Sequence, residues 1–163
     1  MTKRPEWFRH RLIALAALGV AGTVAELAML RHWSTPLAAL PLVVLIGAGV
    51  GVARLATHPA PKVIRVARLA GWTLVAAGIV GVGVHVWSNL KAAPLDGVLG
   101  ATWAERSMIS RLWLASTGAV GPAAPLAAGS LAPTGLVMVL AAAAHEATAT
   151  EHLIADPEGV RPR

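Results

Sequence analysis

The chain has 163 residues, of which 56% are hydrophobic and 13% charged, and it contains no cysteine. Soluble domains carry about 25% charged residues, so this composition predicts a membrane protein made of a few spanning helices. The lack of cysteine excludes disulfides, thiolate metal sites, iron–sulfur clusters and cysteine nucleophiles. The formal net charge is +6. Because the basic residues flank apolar segments, they indicate orientation in an anionic membrane and not nucleic-acid binding.

The first apolar segment follows a basic N-terminus. It covers residues 12–30, which is longer than the core of a signal peptide, and no small-residue cleavage site follows it. We therefore predict a retained signal-anchor helix as the first span, at about 11–32, with Glu26 inside it.

Two further spans are predicted before residue 91. The second lies at about 36–56, because Ser34–Pro36 is typical of a helix start. Its glycines Gly47, Gly49 and Gly51 would let a neighbouring helix approach closely. Residues 58–62 contain two prolines and form a turn. The third span lies at about 65–90 and is closed by Pro94; Arg65 and Arg68 at its start are expected to snorkel to the membrane surface.

Residues 91–121 form the longest segment outside the predicted spans. Within it, Trp103–Ser116 is predicted to be one short amphipathic helix between the third and fourth spans. Trp103, Met108 and Trp113 would belong to its apolar face, with Glu105 and Arg111 away from it. Such a helix lies in the membrane interface.

The fourth span is predicted at about 122–145. Pro122, Pro125 and Pro133 allow either one kinked helix from about residue 122 or an extended approach followed by the helix proper. Residues 1–145 would then form the spanning domain, and residues 146–163 a charged cytoplasmic tail.

The basic residues predict the orientation of the chain. With the N-terminus in the cytoplasm, the inner segments hold ten basic residues: Lys3, Arg4, Arg9, Arg11, Arg54, Lys62, Arg65, Arg68, Arg161 and Arg163. The outer segments hold four: Arg31, Lys91, Arg106 and Arg111. This bias predicts a multi-pass protein of the bacterial inner membrane with both termini cytoplasmic.

Two ionisable residues fall well inside predicted spans, where a charge costs roughly 3 kcal/mol. Glu26 lies about 9 Å below the outer end of the first span, and His85 about 8 Å below the outer end of the third. Both spans run outward, so the two residues have similar depth. Asn89 is one turn above His85 on the same helix face, and His32 is near the same rim. We predict a polar cluster of Glu26, His32, His85 and Asn89 in the outer leaflet.

The role of this cluster is open from the residues alone. It is either a buried pair that holds two helices together or a site for a proton, a quinone or another small molecule. A metal site would need Glu26, His32 and His85 together. Haem would need axial histidines, and only His85 lies well inside the membrane. The sequence itself requires no cofactor.

Several segments together resemble a group of small bacterial inner-membrane proteins of no assigned function. They are Glu26-Leu27, the prolines Pro36 and Pro41, the pattern Gly81-x-x-x-His85-x-x-x-Asn89, and the proline- and alanine-rich residues 122–136. The resemblance implies a four-helix membrane fold and no reaction. The segment after Asn89 is less acidic here than in that group, which puts a shared ligand of that segment in doubt.

The sequence therefore predicts an all-α integral membrane four-helix bundle with a short interfacial helix. It contains no Ser/His/Asp arrangement, Walker loop, dinucleotide fingerprint or HExxH motif. We expect a non-enzymatic accessory or structural subunit whose partners are the lipid bilayer and other membrane subunits. The alternatives are a small redox, quinone-binding or proton-handling protein that uses Glu26 and His85, and a transporter or channel component.

Overall fold

The protein is all-α, as the sequence predicts. The computed structural model describes the backbone of residues 6–31, 33–34 and 36–155, and the side chains of these residues except 36, 37 and 148–155. The α-helices are α1 (Glu6–Met29), α2 (Pro36–Thr57), α3 (Pro61–Ala92), α4 (Met108–Ser116), α5 (Pro125–Gly129) and α6 (Leu131–Ala155), with two short 3₁₀ helices, Ala93–Leu95 and Gly100–Glu105. Four segments are long and apolar enough to cross a membrane: Glu6–Met29, Ala38–Thr57, Pro61–Leu95 and Pro125–Ala147.

The first helix begins before the predicted position at about residue 11. The charged residues that we expected before this helix are part of it, and they contact residues one helical turn away. The His10 Nδ1 atom lies 3.0 Å from the Glu6 carbonyl oxygen, and the Arg11 guanidinium lies 4.8 Å from the centroid of the Trp7 ring. α1 ends at Met29, and Arg31 in the turn after it has a left-handed φ of 50°.

The second and third helices cover their predicted spans, and α3 is longer at both ends. Its 32 residues measure about 48 Å at 1.5 Å per residue, whereas a bilayer hydrocarbon core is about 30 Å thick. α3 is therefore longer than a crossing of the hydrocarbon core requires. Its basic residues lie towards its ends, with Arg65 in the first turns and Lys91 in the last turn.

The last span begins with an extended approach, the second of the two predicted alternatives. Gly118 and Gly121 have positive φ angles of 71° and 77°, so the chain turns there before α5 starts at Pro125. Ser130 separates α5 from α6, and its hydroxyl donates to the Ala127 carbonyl oxygen at 2.7 Å. α6 continues to Ala155, past the predicted start of the tail at residue 146.

The chain divides into two compact units, of which the first combines residues up to Leu74 with those from Thr134. Small residues bring its helices together. A Cβ atom on Gly19 of α1 would lie 2.7 Å from Thr134 Oγ1 of α6, and one on Gly51 of α2 would lie 2.7 Å from the Met138 side chain. The predicted role of Gly51 in close packing is confirmed. A Cβ atom on Gly49 would make only an ordinary contact with Val20, and one on Gly47 would meet open space.

The second unit, Val75–Pro133, contains a further error in the predicted elements. Trp103–Ser116 is not a single helix, because the 3₁₀ helix ends at Glu105 and α4 begins at Met108, with Ser107 as its N-cap. The Ser107 hydroxyl accepts a hydrogen bond from the Ser110 N–H at 3.3 Å, as an N-cap does. Trp103 does not share the outward apolar face of α4; it is buried against Ala93, Ala115 and Val120.

Candidate functional site

The predicted cluster is distributed over both units. Glu26 is half-buried on α1 in the first unit, and His85 is half-buried on α3 in the second. His32 lies outside the described residues. The proposed contact between Glu26 and His85 therefore stays a prediction.

A metal site at this cluster also stays a prediction. Among the side chains that the structure describes (residues 6–31, 33–34 and 38–147), no three of His, Cys, Asp or Glu are grouped so that they could hold a metal ion. Because His32 is not among these residues, the set of Glu26, His32 and His85 is not tested by that result.

Asn89 is fully buried and makes three hydrogen bonds. Its Nδ2 atom donates to the carbonyl oxygens of Ala115 and Ala123, both at 3.0 Å. Its Oδ1 atom accepts from the Ala123 N–H at 3.0 Å. Both amide donors and one acceptor position are thus occupied by backbone of the same unit, which is a structural role.

The backbone around Asn89 fits this arrangement closely. Gly121 has a φ of 77°, and a Cβ atom added to it would lie 2.8 Å from the Asn89 Cα atom. Only glycine adopts this conformation without strain and leaves this space. Asn89 and Gly121 together hold the segment between α4 and α5 against the end of α3.

An ion pair that the sequence did not predict joins α3 to α6 in the first unit. The Arg68 Nη1 atom donates to both carboxylate oxygens of Glu146, at 3.0 and 2.8 Å. Arg68 was expected to snorkel to the surface and Glu146 to belong to the tail. Since α6 continues past residue 146, the carboxylate instead reaches the arginine from the neighbouring helix.

Other polar side chains in the spans bond to their own helices. The buried His145 has its Nδ1 atom 2.9 Å from the Ala141 carbonyl oxygen. Because a carbonyl oxygen only accepts, Nδ1 carries the proton in this contact. The hydroxyls of Thr23 and Thr73 donate to the carbonyls of Gly19 and Leu69, four residues earlier. Such bonds satisfy polar groups within one helix.

Asp96 caps the turn that follows the third span. Its Oδ1 atom accepts hydrogen bonds from the N–H groups of Val98 and Leu99, both at 2.9 Å. The hydrogen bonds from Leu99 and Val98 stabilise the carboxylate and lower the pKa of Asp96 below its usual value of 3.8. The cap is therefore ionised and complete at neutral pH.

Replacing Arg68 with glutamine is expected to lower the free energy of unfolding by about 1 kcal/mol. The effect is modest because both side chains are partly exposed, at 42% and 40%, and water weakens such pairs. Thermal unfolding in detergent, monitored by circular dichroism, measures this loss.

Arg65→Gln on the same helix is the control, since Arg65 is exposed. The double swap Arg68→Glu with Glu146→Arg is expected to recover part of the loss. Equal melting temperatures for Arg68→Gln and Arg65→Gln would show that the pair contributes nothing.

Comparison of the chain with protein families, with curated proteins and with solved structures found no match. Any assignment of function therefore starts from the residues and contacts described above.

Proposed function

We propose that this small multi-pass membrane protein is a non-enzymatic accessory or structural subunit of a larger membrane assembly. The observation that supports this role most directly is the presence of glycines on outward surfaces of three spans. A Cβ atom on Gly22, Gly47 or Gly83 would meet no described atom within 4 Å. Contact with lipid tails does not require small residues, whereas the close approach of another helix does require them. These positions therefore suit contact with helices of a partner.

The low internal burial of the spans agrees with this proposal. Between 17% and 33% of the most apolar stretch of each span is buried within the described chain. Large apolar side chains such as Leu18, Ile46 and Ile79 are exposed on α1, α2 and α3. Each span thus has surface available for lipid and for partner helices alike.

The proposed location is the bacterial inner membrane, with both termini in the cytoplasm. The support is the distribution of basic residues, ten against four, between the two sets of connecting segments. In this orientation α4 and the two 3₁₀ helices face the periplasm.

Purification in mild detergent tests the accessory role. We expect a second polypeptide in constant ratio with the native chain, and its loss from the double variant Gly22→Leu, Gly47→Leu. Val43→Leu is the matched control, because it changes an exposed side chain on α2 that is already large. The control is expected to retain the partner, and all three chains to have similar melting temperatures. A stable, isolated monomer from the native chain would contradict the proposal.

A second proposal keeps Glu26 and His85 as a redox, quinone-binding or proton-handling site. It is supported by their position, half-buried on helices that can span a membrane, where ionisable residues are functional candidates. A visible spectrum and metal analysis of the purified protein test the haem and metal forms. Loss of folding in His85→Ala would favour the structural role instead.

A further inference from the structure

The second unit has an outward apolar surface that starts at the end of the third span and continues along the segment after it. We call this outward surface the apolar rim and define it as Leu95, Val98, Met108, Ile109 and Trp113. All five side chains are exposed, with Val98 at 85% and Ile109 at 82%. Leaving such side chains in water is unfavourable, at about 25 cal/mol per Å² of apolar surface, so the rim indicates a nonaqueous surrounding.

α4 has large apolar side chains on its outward side. Its inward side includes the buried Ala115 and the half-buried Arg111 and Leu114. Its outward side carries Met108, Ile109 and Trp113 from the apolar rim, all three exposed. A helix at the surface of a soluble protein instead presents polar and charged residues outward. An apolar outward face is the arrangement of a helix in contact with lipid.

The connections of this segment identify lipid as the occupant of the rim. The candidate span Pro61–Leu95 ends at Leu95, the first residue of the rim, and the candidate span Pro125–Ala147 begins a short distance after Trp113, the last residue of the rim. Both attachments are to membrane-spanning helices at the same side of the bilayer. A segment held at the membrane surface from both ends, with apolar side chains outward, lies in the interface with those side chains among the lipid chains.

Two arginines lie against the second 3₁₀ helix, Gly100–Glu105. The Arg106 Nη2 atom donates to Thr102 Oγ1 at 3.3 Å, and the Arg111 Nη2 atom donates to the Ala104 carbonyl oxygen at 2.7 Å. The Arg111 guanidinium also lies 5.9 Å from the centroid of the Trp103 ring. These contacts fix both cations on one short helix.

The charge of these arginines is not neutralised within the described part of the chain. The ion pairs there involve Arg9 with Glu6 and Arg68 with Glu146, and neither Arg106 nor Arg111. Both side-chain hydrogen bonds that hold the guanidiniums are exposed. Arginine pairs with phosphate oxygens through several N–H groups at once, so this site suits a phosphate group.

We propose that the segment from Leu95 to Trp113 is a lipid-binding surface: the apolar rim enters the acyl chains, and Arg106 and Arg111 hold the phosphate of an anionic phospholipid. The lipid source is favoured over free phosphate because the arginines and the rim belong to one continuous segment. This assignment does not depend on the accessory role proposed above.

The position of the rim is measured by spin labelling, for which the absence of native cysteine is an advantage. Single variants Val98→Cys and Ile109→Cys are labelled in nanodiscs, with the exposed Glu105→Cys as control. We expect labels on the rim to be accessible to oxygen and protected from a water-soluble nickel reagent, and the control to show the reverse. Access of the nickel reagent to Ile109→Cys would overturn the proposal. Protection from both reagents would also overturn it, because protein and not lipid would then cover the rim.

The phosphate site is tested by native mass spectrometry of the full chain taken from nanodiscs of phosphatidylcholine and phosphatidylglycerol. The variant Arg106→Gln, Arg111→Gln is expected to retain phosphatidylglycerol about tenfold less than the native chain, since the loss of one charged hydrogen bond suffices for that factor. The control Arg31→Gln, Lys91→Gln removes the same charge from exposed residues and is expected to retain the lipid. Equal retention in both variants would overturn the assignment, as would displacement of the lipid by millimolar inorganic phosphate.

Discussion

Replacing Asn89 with alanine is expected to lower the free energy of unfolding by about 3 kcal/mol or more. The substitution leaves the carbonyls of Ala115 and Ala123 and the N–H of Ala123 without the bonds that Asn89 makes. A buried polar group left in this way costs roughly 1–3 kcal/mol; the Ala115 bond is buried and the two Ala123 bonds are part-buried. All three bonds connect the end of α3 to the chain from Ala115 to Ala123. We therefore expect the segment between α4 and α5 to detach from α3 before the spans unfold.

Two measurements test the effect of Asn89→Ala. Denaturant titration in detergent gives the free energy of unfolding. Hydrogen exchange at residues 115–124 reports whether the segment opens locally. Ser88→Ala is the control, because Ser88 is the exposed neighbour of Asn89 on the same helix. Asn89→Asp is expected to be at least as harmful as alanine, since it removes both donors and adds a buried charge. Stability equal to that of Ser88→Ala would refute the structural role of Asn89.

Replacing Gly71 with alanine is expected to destabilise the first unit by about 2 kcal/mol through overpacking. A Cβ atom on Gly71 would lie 2.8 Å from the Gly135 carbonyl oxygen and 3.1 Å from the Val139 backbone nitrogen. These are backbone atoms of α6, so no side-chain rotation relieves the clash, and α3 and α6 must separate.

The same substitution at Gly83 is the control for Gly71. Gly83 lies on the same helix, and an added Cβ atom there would meet no described atom within 4 Å. Because alanine favours helix over glycine by about 1 kcal/mol, Gly83→Ala is expected to be neutral or slightly stabilising in the chain separated from its proposed partner. Thermal unfolding of the two variants in one detergent measures the difference. A loss of stability in Gly83→Ala as large as in Gly71→Ala would show that packing of α3 on α6 is not the cause.

The sequence predicted the second and third spans well because each is a long apolar run with a clear proline boundary. Pro36 marks the start of α2, and the two prolines of residues 58–62 separate α2 from α3. Charged residues were less reliable boundaries, since Arg9 and Arg11 belong to α1 and Glu146 belongs to α6. Charged residues can continue a helix when their side chains contact residues one turn away or on a neighbouring helix.

The contacts of the polar residues were not predictable, because they join positions far apart in the chain. Asn89 bonds to residues 26 and 34 positions later, and Arg68 to a residue 78 positions later. Helical spacing showed only that Asn89 shares a face with His85. The spacing did not show that the chain after α4 turns back at Gly118 and Gly121 and forms hydrogen bonds with the Asn89 side chain.

Helical structure is present within the predicted residues 103–116, but it is divided between two helices; the interfacial position stays a prediction. Apolar residues recur across residues 103–116, so the pattern did not distinguish one helix from two. The signal that separates them is Ser107, a good N-cap that stands before Met108. An N-cap at that position ends the first helix and leaves Trp103 free to pack inward.

The most direct test of the accessory role is native mass spectrometry of the chain extracted from its own membrane in polymer nanodiscs. We expect a particle that contains this 16.7 kDa chain with a different polypeptide in fixed ratio. Particles that contain only this chain and lipid, as a monomer or as multiple copies, would contradict it.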